Sequence, residues 1–322
     1  VRGPARAILA PVEPIAPSGR QLELTHGDSA VTIVEVGGGL RDYRVDGVAV
    51  LDGYPVDAMA PHSAGQLLVP WPNRIAGGRY PWNGKTQQLA ISEAKTGNAS
   101  HGLARWSAWE LERTGPAAAT ASFVVRAQSG YPFTVAFGAA YALGDDGLTV
   151  TMTATNLSAG PAPVGMGAHP YLLVPGAGGT PVRADDVTLT LPAERMLLVD
   201  DRLIPTESQD VAGGPFDFLA ARPIGPLVID HCFAAPRRDP DGRARVVLAA
   251  PAGGGSVTVW MDEAWDYIQV FTGDTLSPDE RRRSIAVEPQ TCPANAFNSG
   301  EGLRVLEPGE SFGGSWGISP VP

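Results

Sequence analysis

The chain is interrupted by 39 glycines and 30 prolines in 322 residues. That density works against long helices, because glycine loses most backbone entropy in a helix interior and proline removes a helical hydrogen bond. No segment sustains an apolar period of 3.6 residues. Between the breaks, runs with period-two or β-branched character recur: "LELTH", "AVTIVEV", "ASFVVRA", "TVAFGAAYAL", "LTVTMTATN", "VTLTL", "GSVTVWM" and "YIQVFTG". The clearest hairpin is "AYALGDDGLTVTMTA", where Gly144 to Gly147 supply the positive φ angles of a tight reversal. These signals predict an all-β fold, a large antiparallel β-sandwich with few or no long helices.

Strand signals continue past the midpoint without a low-complexity linker, and no self-similar period marks a propeller or solenoid. The simplest organisation is one sandwich domain over residues 1–322, with 1–20 as an irregular N-terminal segment. The Gly/Pro-rich stretches "LLVPGAGGTPV" and "LAAPAGGGSV" read as connections at sheet edges. With 43% hydrophobic and 18% charged residues, the chain has ample material for a core.

A formal charge of -10 repels nucleic acid and anionic lipid. The one basic cluster, Arg281 to Arg283 in "TLSPDERRRS", reads as a solvated loop diluted by flanking acids. Cys232 and Cys292 are too few for a disulfide framework and form no Cys-x-x-Cys pair, so a reducing cytoplasm is expected. The first twenty residues lack an uninterrupted apolar core of signal-peptide length, and no run suffices to span a bilayer.

Four segments combine polar side chains with residues that restrict the backbone: "WPNRIAGGRY", "SHGLARW", "GAHPYL" and "VEPQTCPANAFN". In the first, Arg74 offers a planar fork beside Asn73 and aromatics, suited to hydroxyl-rich ligands or carboxylates, or else to tying down a loop. In the second, His101 precedes Gly102, which permits close approach of a backbone or ligand. In the third, Pro170 pushes His169 toward extended backbone, holding its ring on a stiff strand end. Either histidine alone is equally well read as a satisfied structural link. In the fourth, Glu288 ends the apolar run "SIAV", where partial desolvation raises a carboxyl pKa and suits a general base; the alternative is a rim salt bridge. Asp230, in "VIDHCF", sits likewise among apolar neighbours and can accept from a ligand hydroxyl. No His-x-His or His-Glu-x-x-His spacing points to a metal.

Taken in order, "NRIAGGRY", "HG" with a following Arg, "YPF" at Tyr131, "HPY", "IDHCF", "VEPQTCPANAF" and the terminal "LEPGES" resemble the aldose 1-epimerase, or galactose mutarotase, family from about Leu67 to Trp316. The resemblance implies a supersandwich with the sugar in an open cleft on one sheet. It implies His169 as general acid, Glu288 as general base and His101 as a second active-site histidine at the ring oxygen. Arg74, with the adjacent Asn73, and Asp230 look like sugar-hydroxyl contacts. Many members read "LHGG" where this chain has "SHGLAR", and that departure brings Arg105 into play. The same stretch is similar to the hexose-6-phosphate 1-epimerase branch, for which Arg74, Arg79 and Arg105 would form an anion cradle.

The implied activity is interconversion of α and β anomers of a hexose such as glucose or galactose. A base takes the C1 hydroxyl proton while an acid delivers one to the ring oxygen, so no metal or other cofactor is needed. The expected state is Glu288 ionised and His169 protonated. Rival readings are a hexose-6-phosphate 1-epimerase, a glycoside hydrolase using Asp230 and Glu288 as its carboxylate pair, and a non-catalytic carbohydrate-binding module. The expected partner is a small-molecule sugar, with no nucleic acid or membrane, in a monomer or homodimer.

Overall fold

Alternation in the sequence becomes alternation in burial. In Val135–Gly144 and Gly147–Asn156, buried positions lie two apart along each strand, and the strands pair antiparallel from Val135 opposite Asn156 to Gly144 opposite Gly147. Asp145 and Asp146 close this hairpin, and Gly147 takes φ 99°, a value that a side chain would strain. The structure, a computed structural model, describes residues 14–321. The irregular segment expected over 1–20 therefore lies outside the described residues as far as 13, and residues 14–20 carry no strand or helix.

Two large antiparallel sheets dominate. One has nine strands, in the order Glu110–Gly115, Ala118–Val125, Val135–Gly144, Gly147–Asn156, Ser311–Val321, Ser256–Met261, Ala244–Ala249, Thr188–Thr190 and Arg222–Pro223. The other, of eight strands, runs Pro205–Asp210, Ala193–Val199, Asp230–Pro236, Tyr267–Phe271, Ile285–Gln290, Gly167–Ala168 and Leu67–Leu68, with Tyr171–Leu172 also pairing on Ile285–Gln290. A four-stranded sheet from Gln21–His26 to Val48–Ala49 packs into the same core. Among the described residues the α-helix is limited to the four residues Ala296–Ser299, as the glycine and proline density predicts.

In the eight-stranded sheet, Ile285–Gln290 is buried along its whole length, so both faces are covered. Ile285 and Val287 join the main core, and alternation turns Ala286, Glu288 and Gln290 to the opposite face. That face floors the cleft described below.

The basic cluster departs from the sequence expectation. Arg282 is buried, at 6% exposure, and donates to Asp185 (3.1 Å) and Asp274 (3.0 Å) and to the Leu227 and Gly225 carbonyls. Arg283 grips Asp52 at 2.9 and 3.0 Å. A buried guanidinium is tolerated when its donors are occupied; here Asp274 is eight residues away, while Asp185 and the two carbonyls come from segments remote in sequence. Arg282 and Arg283 thus act as a clamp, while Arg281 is exposed as a solvated loop would have it.

Candidate active site

Strand register assembles the site. Gln269 lies opposite both Cys232 and Glu288 on its two neighbours, so Cys232, Gln269 and Glu288 stand in a row on one face, with Asp230 two residues along. On the other side of Ile285–Gln290, Gly167 pairs Gln290 and Tyr171 pairs Ala286. The same register, carried between those pairs, sets His169 directly across from Glu288.

The contact is direct: His169 Nε2 lies 3.3 Å from Glu288 Oε1, with His169 6% and Glu288 2% exposed. Burial pushes Glu288 up to about 8, and the negative charge of Asp230 adds to this. Burial pushes His169 down to about 3. The elevated carboxyl agrees with the sequence reading, whereas burial opposes the expected imidazolium. Between them the two groups share one proton near neutrality, and burial alone favours it on the carboxyl. His169 Nδ1 is buried without a hydrogen-bond partner, and the ring stacks on Tyr171 at 4.9 Å.

His101 follows the short strand Ala99–Ser100, which pairs with Arg74–Ile75. Its backbone N–H donates to Asn73 O at 2.7 Å, and its ring Nδ1 accepts from the Asn73 N–H at 3.2 Å. The ring proton therefore sits on Nε2, and burial, reinforced by His169 and nearby arginines, holds the imidazole neutral. Its ring centre is 5.5 Å from that of His169. Gly102 takes φ 73°, and a Cβ there would stand 2.0 Å from Val69 O, so this glycine is required for backbone approach.

Arg74 Nε and Nη2 donate to the two carboxylate oxygens of Glu93 at 2.7 and 2.9 Å, a bidentate grip. Burial alone would raise the Glu93 carboxyl, but hydrogen bonds from Arg74 and Thr96 hold it below its ordinary value. Asp230 accepts from Gln269 Nε2 at 2.8 Å and is raised, chiefly by burial. Arg105 Nη1 donates to Ser63 Oγ at 2.8 Å.

All seven residues singled out in the sequence, His169, Glu288, His101, Arg74, Asp230, Asn73 and Arg105, line one cleft of about 590 Å³. That volume lies within the range of small-molecule sites. Arg79 does not join them. It is exposed and donates to Gln88, because alternation along Arg79–Trp82 buries Tyr80 and turns Arg79 outward. The loop "ISEAKTGNAS" lines the cleft through Ser92, Glu93, Lys95, Thr96 and Ser100, whereas no residue of "VPGAGGTPV" does.

Glu93, Gln269 and Gln290 were not singled out in the sequence. Gln269 interrupts the apolar run "YIQVF", and Gln290 stands two residues after Glu288, hence on the same strand face. Among the described residues no group of three or more His, Cys, Asp or Glu side chains is arranged to hold a metal ion, and no helix is long and apolar enough to cross a membrane.

Comparison with known proteins bears on the fold and the family. The chain is 33% identical over 294 residues to the uncharacterized protein YihR of Escherichia coli K12, covering 91% of each chain. Its fold is similar to that of a galactose mutarotase-like protein from Clostridium acetobutylicum, with TM-score 0.80, 22% identity and coverage of 93% of this chain and 94% of that one. It is also similar to galactose 1-epimerase from Lactobacillus acidophilus, with TM-score 0.76, 19% identity and coverage of 94% and 95%. The aldose 1-epimerase family profile matches residues 20–319, nearly the whole length, and by that match this chain belongs to the aldose 1-epimerase family.

Proposed function

We propose that this chain is a cofactor-independent aldose 1-epimerase that interconverts the α and β anomers of a hexose such as glucose or galactose. The observation that carries the reading is the buried His169–Glu288 contact at 3.3 Å on the floor of the cleft. Ring opening needs a base at the C1 hydroxyl and an acid at the ring oxygen, and two groups sharing one proton supply both.

In the reactive form the shared proton is on His169 and Glu288 is a carboxylate. Glu288 takes the C1 hydroxyl proton, the C1 to ring-oxygen bond breaks, and His169 gives its proton to the ring oxygen. The products are the open-chain aldehyde, a neutral imidazole and a protonated carboxyl. That is the distribution burial favours, so the site lowers the cost of the open-chain stage. Rotation about C1–C2 and reversal of both transfers closes the ring on the other face. His101 is assigned a supporting part: as a neutral Nε2–H donor it hydrogen-bonds the ring oxygen, while its Nδ1 is occupied by Asn73. Arg74, Asn73 and Asp230 are assigned to sugar hydroxyls.

Polarimetry on freshly dissolved single anomers tests this reading. Enzyme at catalytic concentration should collapse the optical-rotation transient, and a transient no faster than in buffer would overturn it. The two cysteines are buried and free, which fits the reducing cytoplasm expected from the sequence.

A second reading, action on a hexose 6-phosphate, is favoured by one observation. Among the described residues Arg105 makes no carboxylate ion pair, yet it lines the cleft together with Lys95. Relative rates on glucose and glucose 6-phosphate distinguish the two readings.

A further inference from the structure

Two carboxyl groups at the cleft, the buried Glu288 and the half-buried Asp230, are joined by three side-chain amides. Gln269 Nε2 donates to Asp230 Oδ1 at 2.8 Å, Asn73 Nδ2 donates to Gln269 Oε1 at 3.3 Å and to Gln290 Oε1 at 3.4 Å, and Gln290 Nε2 donates to Glu288 Oε2 at 3.1 Å. All three amides are buried: Asn73 at 4%, Gln269 at 6% and Gln290 at 0% exposure.

The orientation of the chain is dictated from one end. The carboxylate of Asp230 only accepts, so Gln269 must turn its NH2 toward it and its carbonyl oxygen toward Asn73. Asn73 must then present its NH2, which serves both glutamine carbonyls. Gln290 is left with its NH2 facing Glu288. Alternation puts Gln290 on the same strand face as Glu288, and the left-handed backbone of Asn73, at φ 51°, brings its amide to both partners.

We propose that Gln290 is the positioning residue for Glu288: by donating to Oε2 it commits that oxygen as an acceptor and leaves Oε1, which faces His169, as the atom that exchanges the proton. The inference rests on the mutarotase reading above for its kinetic consequence, but not for its structural one. A proton on Oε2 would meet an N–H instead of a lone pair, so the protonated carboxyl carries its hydrogen on Oε1. Asn73 holds both glutamines, so it couples the setting of Glu288 to that of Asp230.

The donation from Gln290 also favours the ionised form of Glu288. The other titratable groups facing Glu288 are His169 and Tyr171 from the adjoining segment, Asp230 and Cys232 from the strand Asp230–Pro236, and Arg74. None of these is altered by replacing Gln290.

The test is Gln290→Met, which keeps the bulk and loses the donor, with Gln290→Glu as a second variant of the same shape. Infrared titration of the folded protein reads the carboxyl band of Glu288, assigned by its loss in Glu288→Gln. We expect its midpoint to rise by about one pH unit in Gln290→Met and further in Gln290→Glu, where a like charge is added. With a sugar substrate, kcat should fall about tenfold or more while KM stays within about twofold, because the loss falls on the reacting geometry.

An unchanged midpoint in a folded variant would overturn the proposal, as would a loss confined to KM. A wild-type protein without mutarotase activity would instead defeat the functional reading, with the infrared shift still deciding the role of Gln290. If Gln290→Met does not fold, Gln290→Leu, which also lacks the donor and adds no charge, decides by the same midpoint. Gln269→Met, two amides away, is a further folded-state measure: it should shift the Glu288 midpoint by less than Gln290→Met.

Discussion

His169 and Glu288 face each other across adjacent strands, Nε2 to Oε1 at 3.3 Å, in register between the pairs Gly167–Gln290 and Tyr171–Ala286. Neither side chain is solvated enough to hold a charge cheaply. Their contact makes them one titrating unit, and the chemistry proposed for the cleft follows from where its single proton resides.

Removing either partner should abolish most turnover. His169→Ala and Glu288→Gln are each expected to lower kcat for mutarotation by about a hundredfold or more, with far-UV circular dichroism unchanged. Polarimetry with α-glucose and α-galactose is the measurement, and a near-normal rate in either variant would remove that residue from the mechanism.

The rate should depend on pH through the pair. The Glu288 carboxyl, raised to about 8, marks the pH above which the pair loses its shared proton. The rate should therefore hold from about pH 5 to 7 and fall above about 8, roughly tenfold per unit. A profile level to pH 9 would contradict this assignment.

The same burial has a stability cost with a definite sign. The folded-state pKa of Glu288 is raised, from 4.5 to about 8, so folding is unpenalised below 4.5 and increasingly penalised as pH climbs toward 8. Glu288→Gln removes the penalty. Its melting temperature should match wild type near pH 4 and exceed it at pH 8.5, where the stability difference is of order a few kcal/mol. Thermal melts at the two pH values decide, and an equal difference at both would show that ionisation is not the cause.

Arg74 is held by both oxygens of Glu93. Glu93→Gln leaves the guanidinium free to rotate away from the sugar hydroxyls it is assigned to meet. KM should rise about tenfold with kcat within about threefold, read from initial polarimetric rates. A loss expressed in kcat alone would place the pair nearer the reacting atoms.

Arg105 separates the two substrate readings. If the sugar is phosphorylated, Arg105→Ala should reduce kcat/KM for glucose 6-phosphate by about a hundredfold and that for glucose by much less. Equal small effects on both sugars would assign Arg105 to holding Ser63 and the segment around it.

Much of the fold was legible because its signals are local. Period-two runs, glycine at hairpin turns and the scarcity of helix-forming stretches all act within a few residues, and Val135–Gly144 with its partner Gly147–Asn156 shows the agreement directly. The site was legible one residue at a time. His169 beside Pro170, Glu288 before Pro289 and His101 before Gly102 were each ambiguous alone, and order along the chain made them a set. The amide chain was not legible, because Asn73, Gln269 and Gln290 are separated by up to 217 residues, and although Asn73 and Gln290 stand within quoted motifs, nothing local joins their amides. The burial of Arg282 was not legible for a related reason: Asp274 is near in sequence, but Asp185 and the Leu227 and Gly225 carbonyls come from distant segments, as does Asp52 for Arg283.

The sequence by itself determined the all-β class, the absence of long helices among the described residues, and the seven polar residues worth watching, since backbone preference and side-chain chemistry are properties of short segments. Only the tertiary structure decided that His169 stands opposite Glu288, that Arg79 turns away, and that Gln290 donates to Glu288 Oε2. Those facts depend on strand register and burial. A shift of one residue would reverse every face, and desolvation exists only once the sheets have closed over the site.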